Sequence, residues 1–119
     1  MTAVLVADDA AIVRTLVREM LHAAGHEVVG EATTGEETIQ LYDETRPDVA
    51  VIDINMPATN GLGAALEIRR RHPDARLILA SVFVAGMQLP DAAEIGGEYL
   101  AKPFRQDELL AAVERTAAR

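Results

Sequence analysis

Val49-Ala50-Val51-Ile52-Asp53 decides the fold, because four apolar residues run without interruption into a single aspartate. A short, fully apolar run is typical of a strand that is buried on both faces, as in a parallel sheet. The pattern recurs three times, in Val4–Ala7 before Asp8-Asp9, in Leu77–Ala80 before Ser81 and in Tyr99–Ala101 before Lys102-Pro103. These repeats predict several buried strands that belong to one sheet.

Segments with helical periodicity separate the predicted strands. Their apolar residues recur three and four positions apart, and residues that stop helices follow them. The predicted helices run from Ala11 up to Gly25, from an N-cap within Thr33–Glu37 up to Arg46-Pro47-Asp48, from about Leu62 to Arg71 and around Leu109–Val113, and Glu27–Glu31 is predicted as a shorter edge strand. Strands that alternate with helices predict a parallel sheet with helices on both faces, joined by right-handed crossovers.

The stretch between Ser81 and Tyr99 fits this alternation poorly, because residues 82–90 carry no charge. Pro90 is unfavourable inside a helix but is accepted at a first helical position. We therefore predict a loop over 82–89 and a short, irregular fourth helix over 90–95.

Length and composition limit the classes of protein to consider. A chain of 119 residues has the usual size of one globular domain, so we predict a single domain over 1–119. The formal net charge of -8 disfavours binding of nucleic acid or anionic lipid by this domain. The absence of cysteine excludes a disulfide framework and a thiolate nucleophile. Without signal-peptide features or an apolar stretch of ~20 residues, we expect a cytoplasmic domain and no membrane contact.

Five polar residues follow directly after predicted strands, namely Asp8, Asp9, Asp53, Ser81 and Lys102. In open α/β sheets, ligands bind outside the carboxyl ends of the strands. Three carboxylates gathered there repel one another unless a cation joins them, and oxygen ligands suit a hard cation such as Mg²⁺. Acids, a hard cation, an ammonium and a hydroxyl together form a place to hold a phosphoryl group on an oxygen nucleophile.

The order and spacing of these pieces resemble the receiver domain of two-component response regulators over the whole chain. The strand ending in Asp8-Asp9 resembles the family's acidic pair, and Asp53-Ile54-Asn55-Met56-Pro57 with Gly61 resembles its phosphoacceptor loop. Ser81 stands where the family has threonine or serine, and Tyr99–Phe104 resembles the final strand with its Lys-Pro. The resemblance implies an α/β, flavodoxin-like, doubly wound fold of five parallel strands in the order 2-1-3-4-5.

The resemblance also implies a site and its partners. Asp53 is expected to accept a phosphoryl group from a phosphohistidine, with Mg²⁺ bound by Asp53, by Asp9, by Asp8 through a water and by the backbone carbonyl of Asn55. The implied partners are a sensor histidine kinase or phosphotransfer protein, and a downstream effector or an output domain. The implied chemistry is limited to self-catalysed phosphotransfer and hydrolysis of the aspartyl phosphate, so the chain is expected to be a signalling domain rather than an enzyme.

A switch is implied in the same way. Lys102 is expected to pair with Asp53 and then with phosphoryl oxygens, while the Ser81 hydroxyl turns toward the phosphate and Tyr99 moves inward behind it. The change is expected to alter the surface formed by the fourth helix, the fifth strand and the last helix. Phosphorylation-dependent homodimerisation is a further arrangement that the resemblance allows.

Two departures from the family pattern leave other interpretations open. Val82 replaces a residue that is usually small, which predicts narrower access to Asp53, and Pro90 indicates a remodelled fourth helix. One alternative is a degenerate receiver that acts through phosphorylation-independent contacts. Another is a small Mg²⁺-dependent phosphotransfer or phosphatase enzyme, for which 119 residues leave little to cover a substrate. A flavin carrier is disfavoured because Asp8-Asp9 would repel its phosphate.

Two further groups of residues receive no functional role from the sequence. Arg69-Arg70-Arg71 is interpreted as a solvated helix end, where cations interact favourably with the helix dipole. His22, His26 and His72 lack the spacing of metal ligands and are interpreted as ordinary helix or loop residues.

Overall fold

Strands and helices alternate along the computed structural model, which describes residues 2–56, 61–82 and 95–119. The strands are β1 (Ala3–Ala7), β2 (Glu27–Ala32), β3 (Val49–Asp53), β4 (Leu77–Val82) and β5 (Gly97–Lys102), and the helices are α1 (Ala11–Ala23), α2 (Gly35–Thr45), α3 (Gly61–Arg71) and α4 (Gln106–Ala117). The predicted loop over 82–89 and short helix over 90–95 lie outside the described residues, except at their ends. Val82 is the last residue of β4, so this strand is longer than predicted.

All strand pairs are parallel, and the order across the sheet is β2-β1-β3-β4-β5. This confirms the flavodoxin-like fold class and the position of β2 at an edge. In this order β2 lies on one side of β1, while β3, β4 and β5 follow on the other side. The strand order therefore reverses after β2, and β1 and β3 lie side by side. The carboxyl ends of these two strands then flank the point where ligands bind in such folds.

The core has two parts, one on each face of the sheet. Alternate strand residues pack against α2 and α3 on one face and against α1 and α4 on the other. Aliphatic side chains such as Leu5, Ile52 and Leu79 are fully buried, as expected for a chain with few aromatic residues. Within the described residues, no helix combines the length and apolar character needed to span a membrane.

The start of β5 differs from the prediction, which placed it at Tyr99. The strand begins at Gly97, where an added Cβ would lie 3.0 Å from the Leu77 carbonyl oxygen. Glu98 accepts hydrogen bonds from Arg115 and Thr116 of α4. Neither glycine nor glutamate gives the apolar pattern that predicts a strand. The approach of Gly97 to Leu77 and the hydrogen bonds of Glu98 to α4 both involve residues that are distant in sequence.

Arg69 is not the solvated residue that the sequence predicted. Its guanidinium donates hydrogen bonds to the main-chain carbonyls of Pro73, Ala75, Ile95 and Gly96. Because these carbonyls belong to the turn after α3 and to the residues before β5, the side chain ties two segments together. The next two arginines are exposed, as predicted.

His72 is also more than a loop residue. Its side chain is 10% exposed, and its Nε2 atom lies 2.7 Å from Oδ1 of Asp43 on α2. The other carboxylate oxygen of Asp43 accepts a hydrogen bond from Arg71, and the His72 ring packs against Tyr42. The hydrogen bond to His72, with that from Arg71, lowers the pKa of Asp43. This cluster joins α2 to the end of α3.

The Asp43 contacts predict a pH-dependent contribution to stability. Because its pKa is lowered below 3.8, ionised Asp43 stabilises the fold at neutral pH, and this stabilisation disappears as pH falls through the lowered value. Asp43→Asn should lower the free energy of unfolding by about 1 kcal/mol at pH 7, a small effect because the carboxylate is partly exposed. Urea unfolding at pH 7 and near pH 3 measures this, and the deficit should shrink at the lower pH.

The control is Glu114→Gln, which removes an exposed carboxylate from α4. It should leave stability nearly unchanged at both pH values. A deficit for Asp43→Asn that is the same at both pH values would contradict the charge-based explanation.

Candidate functional site

Four of the predicted site residues meet at one edge of the sheet. Asp8 follows β1, Asp53 ends β3, Ser81 lies near the end of β4, and Lys102 ends β5. Asp8, Asp53 and Ser81 are each 4% exposed, although each is polar. Burial of two carboxylates requires compensation by charge or by hydrogen bonds, so the neighbours of these groups decide what the site does.

Lys102 supplies the compensating charge. Its ammonium Nζ donates a hydrogen bond to Asp8 Oδ2 at 2.7 Å and lies 3.4 Å from Asp53 Oδ2. The resemblance implied a pair with Asp53, whereas the shorter contact is with Asp8. Lys102 is the only lysine in the chain, so the single ammonium side chain lies between two buried carboxylates.

Burial and charge act in opposite directions on these groups. Burial raises the pKa of Asp53 and the charge of Asp8 adds to this, while the Asn55 N–H and the Lys102 ammonium oppose it. Burial alone would lower the pKa of Lys102, but its hydrogen bond to Asp8 and the charges of both carboxylates raise it overall. The lysine is therefore held in its protonated form, in contact with both acids.

Asp9 completes the acidic cluster. It is exposed, whereas Asp8 and Asp53 are buried, yet each of the three offers a carboxylate oxygen within 4.8 Å of the other two. Such a donor set fits Mg²⁺, which prefers oxygen ligands and usually keeps several waters. The exposed position of Asp9 opens the cluster to solvent, so a hydrated cation has access.

The loop after β1 is held by hydrogen bonds that orient the acidic pair. Asp8 Oδ1 accepts from the Ala10 N–H at 2.9 Å, and the Arg14 guanidinium donates to the Asp8 main-chain carbonyl at 2.8 Å. Arg14 also lies 3.4 Å from the Glu31 carboxylate on β2. α1 is thereby tied to the loop, which keeps the first carboxylate pointing along the end of the sheet.

Asn55 has two contacts that the sequence did not reveal. Its backbone N–H donates to Asp53 Oδ1 at 2.9 Å, and its side-chain Oδ1 accepts from the Val82 N–H at 3.1 Å. The resemblance implied that the backbone carbonyl of this residue binds the metal ion. An asparagine in a loop gives no sign of a partner on another strand, so no signal in the sequence could have found the second contact.

The two predicted switch residues also have contacts outside the acidic cluster. The Ser81 hydroxyl donates to the Val82 main-chain carbonyl at 3.3 Å. Tyr99 pairs with Leu79 across β4 and β5 and is half-buried against the core on the α2 and α3 face. The switch roles of both residues therefore remain predictions.

An apolar groove, which the sequence did not predict, lies beside the acidic cluster. It has a volume of about 310 Å³ and is lined by Val13, Leu16, Val17, Met20, Val82, Lys102, Pro103 and Phe104. Leu16 and Val82 are each 48% exposed, and the neighbouring Ile12 on α1 is 72% exposed. Val82, expected to narrow access to Asp53, thus also forms part of this groove. The apolar residues come from three separate segments, so their adjacency depends on the folded chain.

The ion pairs of Lys102 predict a large effect of its removal. Lys102→Met should lower the free energy of unfolding at pH 7 by about 3 kcal/mol, because two buried carboxylates then lack their cation. Urea unfolding in a buffer with EDTA measures the effect of the ammonium alone. The double variant Asp8→Asn with Lys102→Met should recover a large part of the loss, and unchanged stability of the single variant would contradict this assignment of charge.

Comparison with known proteins agrees with the fold. The family model of the response regulator receiver domain matches residues 4–114. Chemotaxis protein CheY of Thermotoga maritima is 35% identical over 115 residues, which cover 96% of this chain and 96% of that protein. The transcriptional regulatory protein PdtaR of Mycobacterium tuberculosis is 35% identical over 117 residues, which cover 98% of this chain and 57% of PdtaR.

Among solved structures, a LuxR-family two-component response regulator from Aurantimonas is similar, with a TM-score of 0.90 and 31% identity. The match covers 99% of this chain and 86% of that one. Receiver domains are signalling domains that bind Mg²⁺ at an acidic site and interact with histidine kinases and with effectors or output domains. The chain belongs to this family, the receiver domains of two-component response regulators.

Proposed function

We propose that this chain is a phosphorylation-dependent receiver in which Asp53 accepts a phosphoryl group from a phosphohistidine on a partner protein. The observation that carries the proposal is the contact of one ammonium, that of Lys102, with both buried carboxylates, Asp8 and Asp53. In this proposal, residues 1–119 form one receiver domain. The acidic cluster of Asp8, Asp9 and Asp53, with the backbone carbonyl of Asn55, would hold Mg²⁺.

The transfer needs an oxygen nucleophile and compensation of charge. An oxygen of the Asp53 carboxylate forms a bond to phosphorus as the bond from phosphorus to the histidine nitrogen breaks, and the imidazole leaves with the electron pair. Bound Mg²⁺ supplies positive charge that offsets the phosphoryl oxygens. Lys102, whose ammonium already lies 3.4 Å from Asp53 Oδ2, would move its hydrogen bonds from the carboxylates to the phosphoryl group.

Hydrolysis of the aspartyl phosphate would return the site to its starting state. The same groups would hold the phosphoryl oxygens while water attacks phosphorus, so both steps are self-catalysed and the domain acts on no separate substrate pool. Asn55, within the acceptor loop, is exposed to the solvent from which the water would come. The proposed reaction is therefore a reversible change of the domain itself.

The donor protein would dock in the apolar groove beside α1. Lys102 lines this groove and also contacts Asp8, so a partner seated there lies next to the acceptor. Exposed aliphatic side chains such as Ile12 and Leu16 favour a partner with an apolar helical face. A phosphotransfer protein or a sensor kinase that presents its phosphohistidine on such a helix fits this requirement.

Phosphorylation would be transmitted through Ser81 and Tyr99 to the surface near β5 and α4. Release of the Ser81 hydroxyl from the Val82 carbonyl would allow it to bind a phosphoryl oxygen, and Tyr99 would then fill the space behind it. The readers of that surface would be a downstream effector or an output domain. A phosphorylation-dependent homodimer would use the same surface.

A degenerate receiver is the second candidate, and one contact favours it. The 2.7 Å hydrogen bond between Lys102 and Asp8 already satisfies a carboxylate that would be needed for the cation. A site stabilised in this way could persist without phosphate and serve constitutive protein contacts. The two candidates differ in whether Asp53 is ever modified.

Mass measurement separates the two candidates. Incubation with acetyl phosphate and Mg²⁺ should give a single phosphoryl adduct on the intact protein, because Asp53 is the acceptor. The adduct should be absent in Asp53→Asn and absent without Mg²⁺, and it should persist in the control Asp74→Asn, which removes an exposed carboxylate elsewhere. The absence of an adduct under every condition would favour the degenerate receiver.

The groove predicts a separate effect on the protein donor. The donor is a histidine-phosphorylated domain that loads the wild type. Leu16→Glu should slow phosphotransfer from this donor by roughly tenfold, because the new charge lies in an apolar contact. Loading by acetyl phosphate should not change, since the acidic cluster is intact. The matched control is Leu66→Glu on α3, where the leucine is 49% exposed and lies outside the groove. Equal slowing by both variants would contradict the proposed docking face.

A further inference from the structure

Asn55, two residues beyond the end of β3, makes hydrogen bonds in two directions. The Asn55 N–H donates to Asp53 Oδ1 at 2.9 Å, and Asn55 Oδ1 accepts from the Val82 N–H at 3.1 Å. One bond is therefore made to the carboxylate of the candidate acceptor, and the other to the last residue of β4. Asn55 therefore connects the acidic cluster with the end of β4, where Ser81 also lies.

The second bond completes the sheet where the main chain leaves it. The Ile54 N–H donates to the Ala80 carbonyl at 3.0 Å, in the parallel ladder between β3 and β4. The next N–H that β4 directs toward β3 belongs to Val82, and its acceptor is the Asn55 side chain instead of a main-chain carbonyl. The end of β4 is thus held by a side chain whose position depends on its own backbone bond to Asp53.

Val82 contacts both Ser81 and the apolar groove. Its carbonyl accepts the Ser81 hydroxyl, and its side chain, 48% exposed, lines the apolar groove. A shift of the Val82 backbone therefore changes the partner of the Ser81 hydroxyl and the shape of the groove together. Among the described residues, the Asn55 side chain joins the Asp53 loop to this position.

We propose that Asn55 is a positioning residue that relays the state of the Asp53 carboxylate to the end of β4, through its N–H on Asp53 and its side-chain oxygen on Val82. The inference deepens the proposed function, on which its biological meaning rests. When the Asp53 oxygens are engaged by a cation or a phosphoryl group, the Asn55 N–H loses or changes its acceptor. The residue then shifts, and the bond to Val82 weakens or breaks.

The relay differs from a metal-ligand role for the same residue. A backbone carbonyl ligand is unaffected by the identity of the side chain, so substitution at position 55 would leave it in place. The relay requires an acceptor atom on the side chain. Asn55→Asp retains an oxygen at that place and Asn55→Ala does not, which gives a matched pair of variants.

The test is a double-mutant cycle read at the Val82 amide by ¹H–¹⁵N NMR, without phosphodonor or metal. Asp53→Ala removes the acceptor of the Asn55 N–H and should shift the Val82 amide resonance. In the Asn55→Ala background, the same change should produce a shift at least about threefold smaller. Equal shifts in the two backgrounds would overturn the proposal, because the effect would then travel by another route.

Amide exchange supplies a second readout that does not depend on Asp53→Ala folding. Exchange of the Val82 N–H should be about threefold or more faster in Asn55→Ala than in the wild type, and close to the wild-type rate in Asn55→Asp. Mg²⁺ alone should shift the Val82 amide in the wild type and much less in Asn55→Ala. Exchange rates that are the same in all three proteins would overturn the proposal.

The outcome is separable from that of the proposed function. Failure of acetyl phosphate to modify Asp53 would remove the phosphorylation proposal but would leave the cycle and the exchange rates as they are. Conversely, a phosphoryl adduct together with uncoupled Val82 shifts would retain the receiver function and reject Asn55 as the relay.

Discussion

Repulsion between carboxylates at one edge of the sheet is the constraint on which the site depends. Asp8 and Asp53 are each 4% exposed, so neither can rely on water to disperse its charge. Lys102 offsets both charges from the end of β5, two strands away from β3 in the sheet. The ion pairs thus link the first, third and fifth strands of the chain, and the chemistry at this edge requires that the whole sheet be assembled.

The convergence of these residues could be predicted because it follows from the strands. Each apolar run ends at a polar residue, and parallel strands place their carboxyl ends at the same edge. Asp8, Asp53, Ser81 and Lys102 therefore had to lie near one another once the sheet was parallel. The exact start of β5 could not be predicted in this way, because Gly97 joins the sheet through a close approach to Leu77 rather than through an apolar pattern.

The features that the sequence did not reveal are polar side chains with distant partners. The bond between Asn55 and Val82 spans 27 positions, that between His72 and Asp43 spans 29, and Arg69 reaches Ile95 across 26. A sequence pattern reports periodicity and local caps, such as Thr34 accepting from the Glu37 N–H at the start of α2. It carries no information on which carbonyl or carboxylate a long side chain meets after folding, so helix ends and loops are where prediction falls short.

Lys102 belongs both to the acidic cluster and to the apolar groove. Its ammonium lies among the carboxylates, while its side chain lines the apolar groove next to Phe104 and Val82. Long cationic side chains regularly place their alkyl part on apolar surface and their charge in a polar site. A partner that fills the groove therefore packs against the same side chain that neutralises the acids. Under the proposed function, recognition of a partner would be coupled to readiness of the acceptor, because excluding water from the groove strengthens the electrostatic interactions of the ammonium.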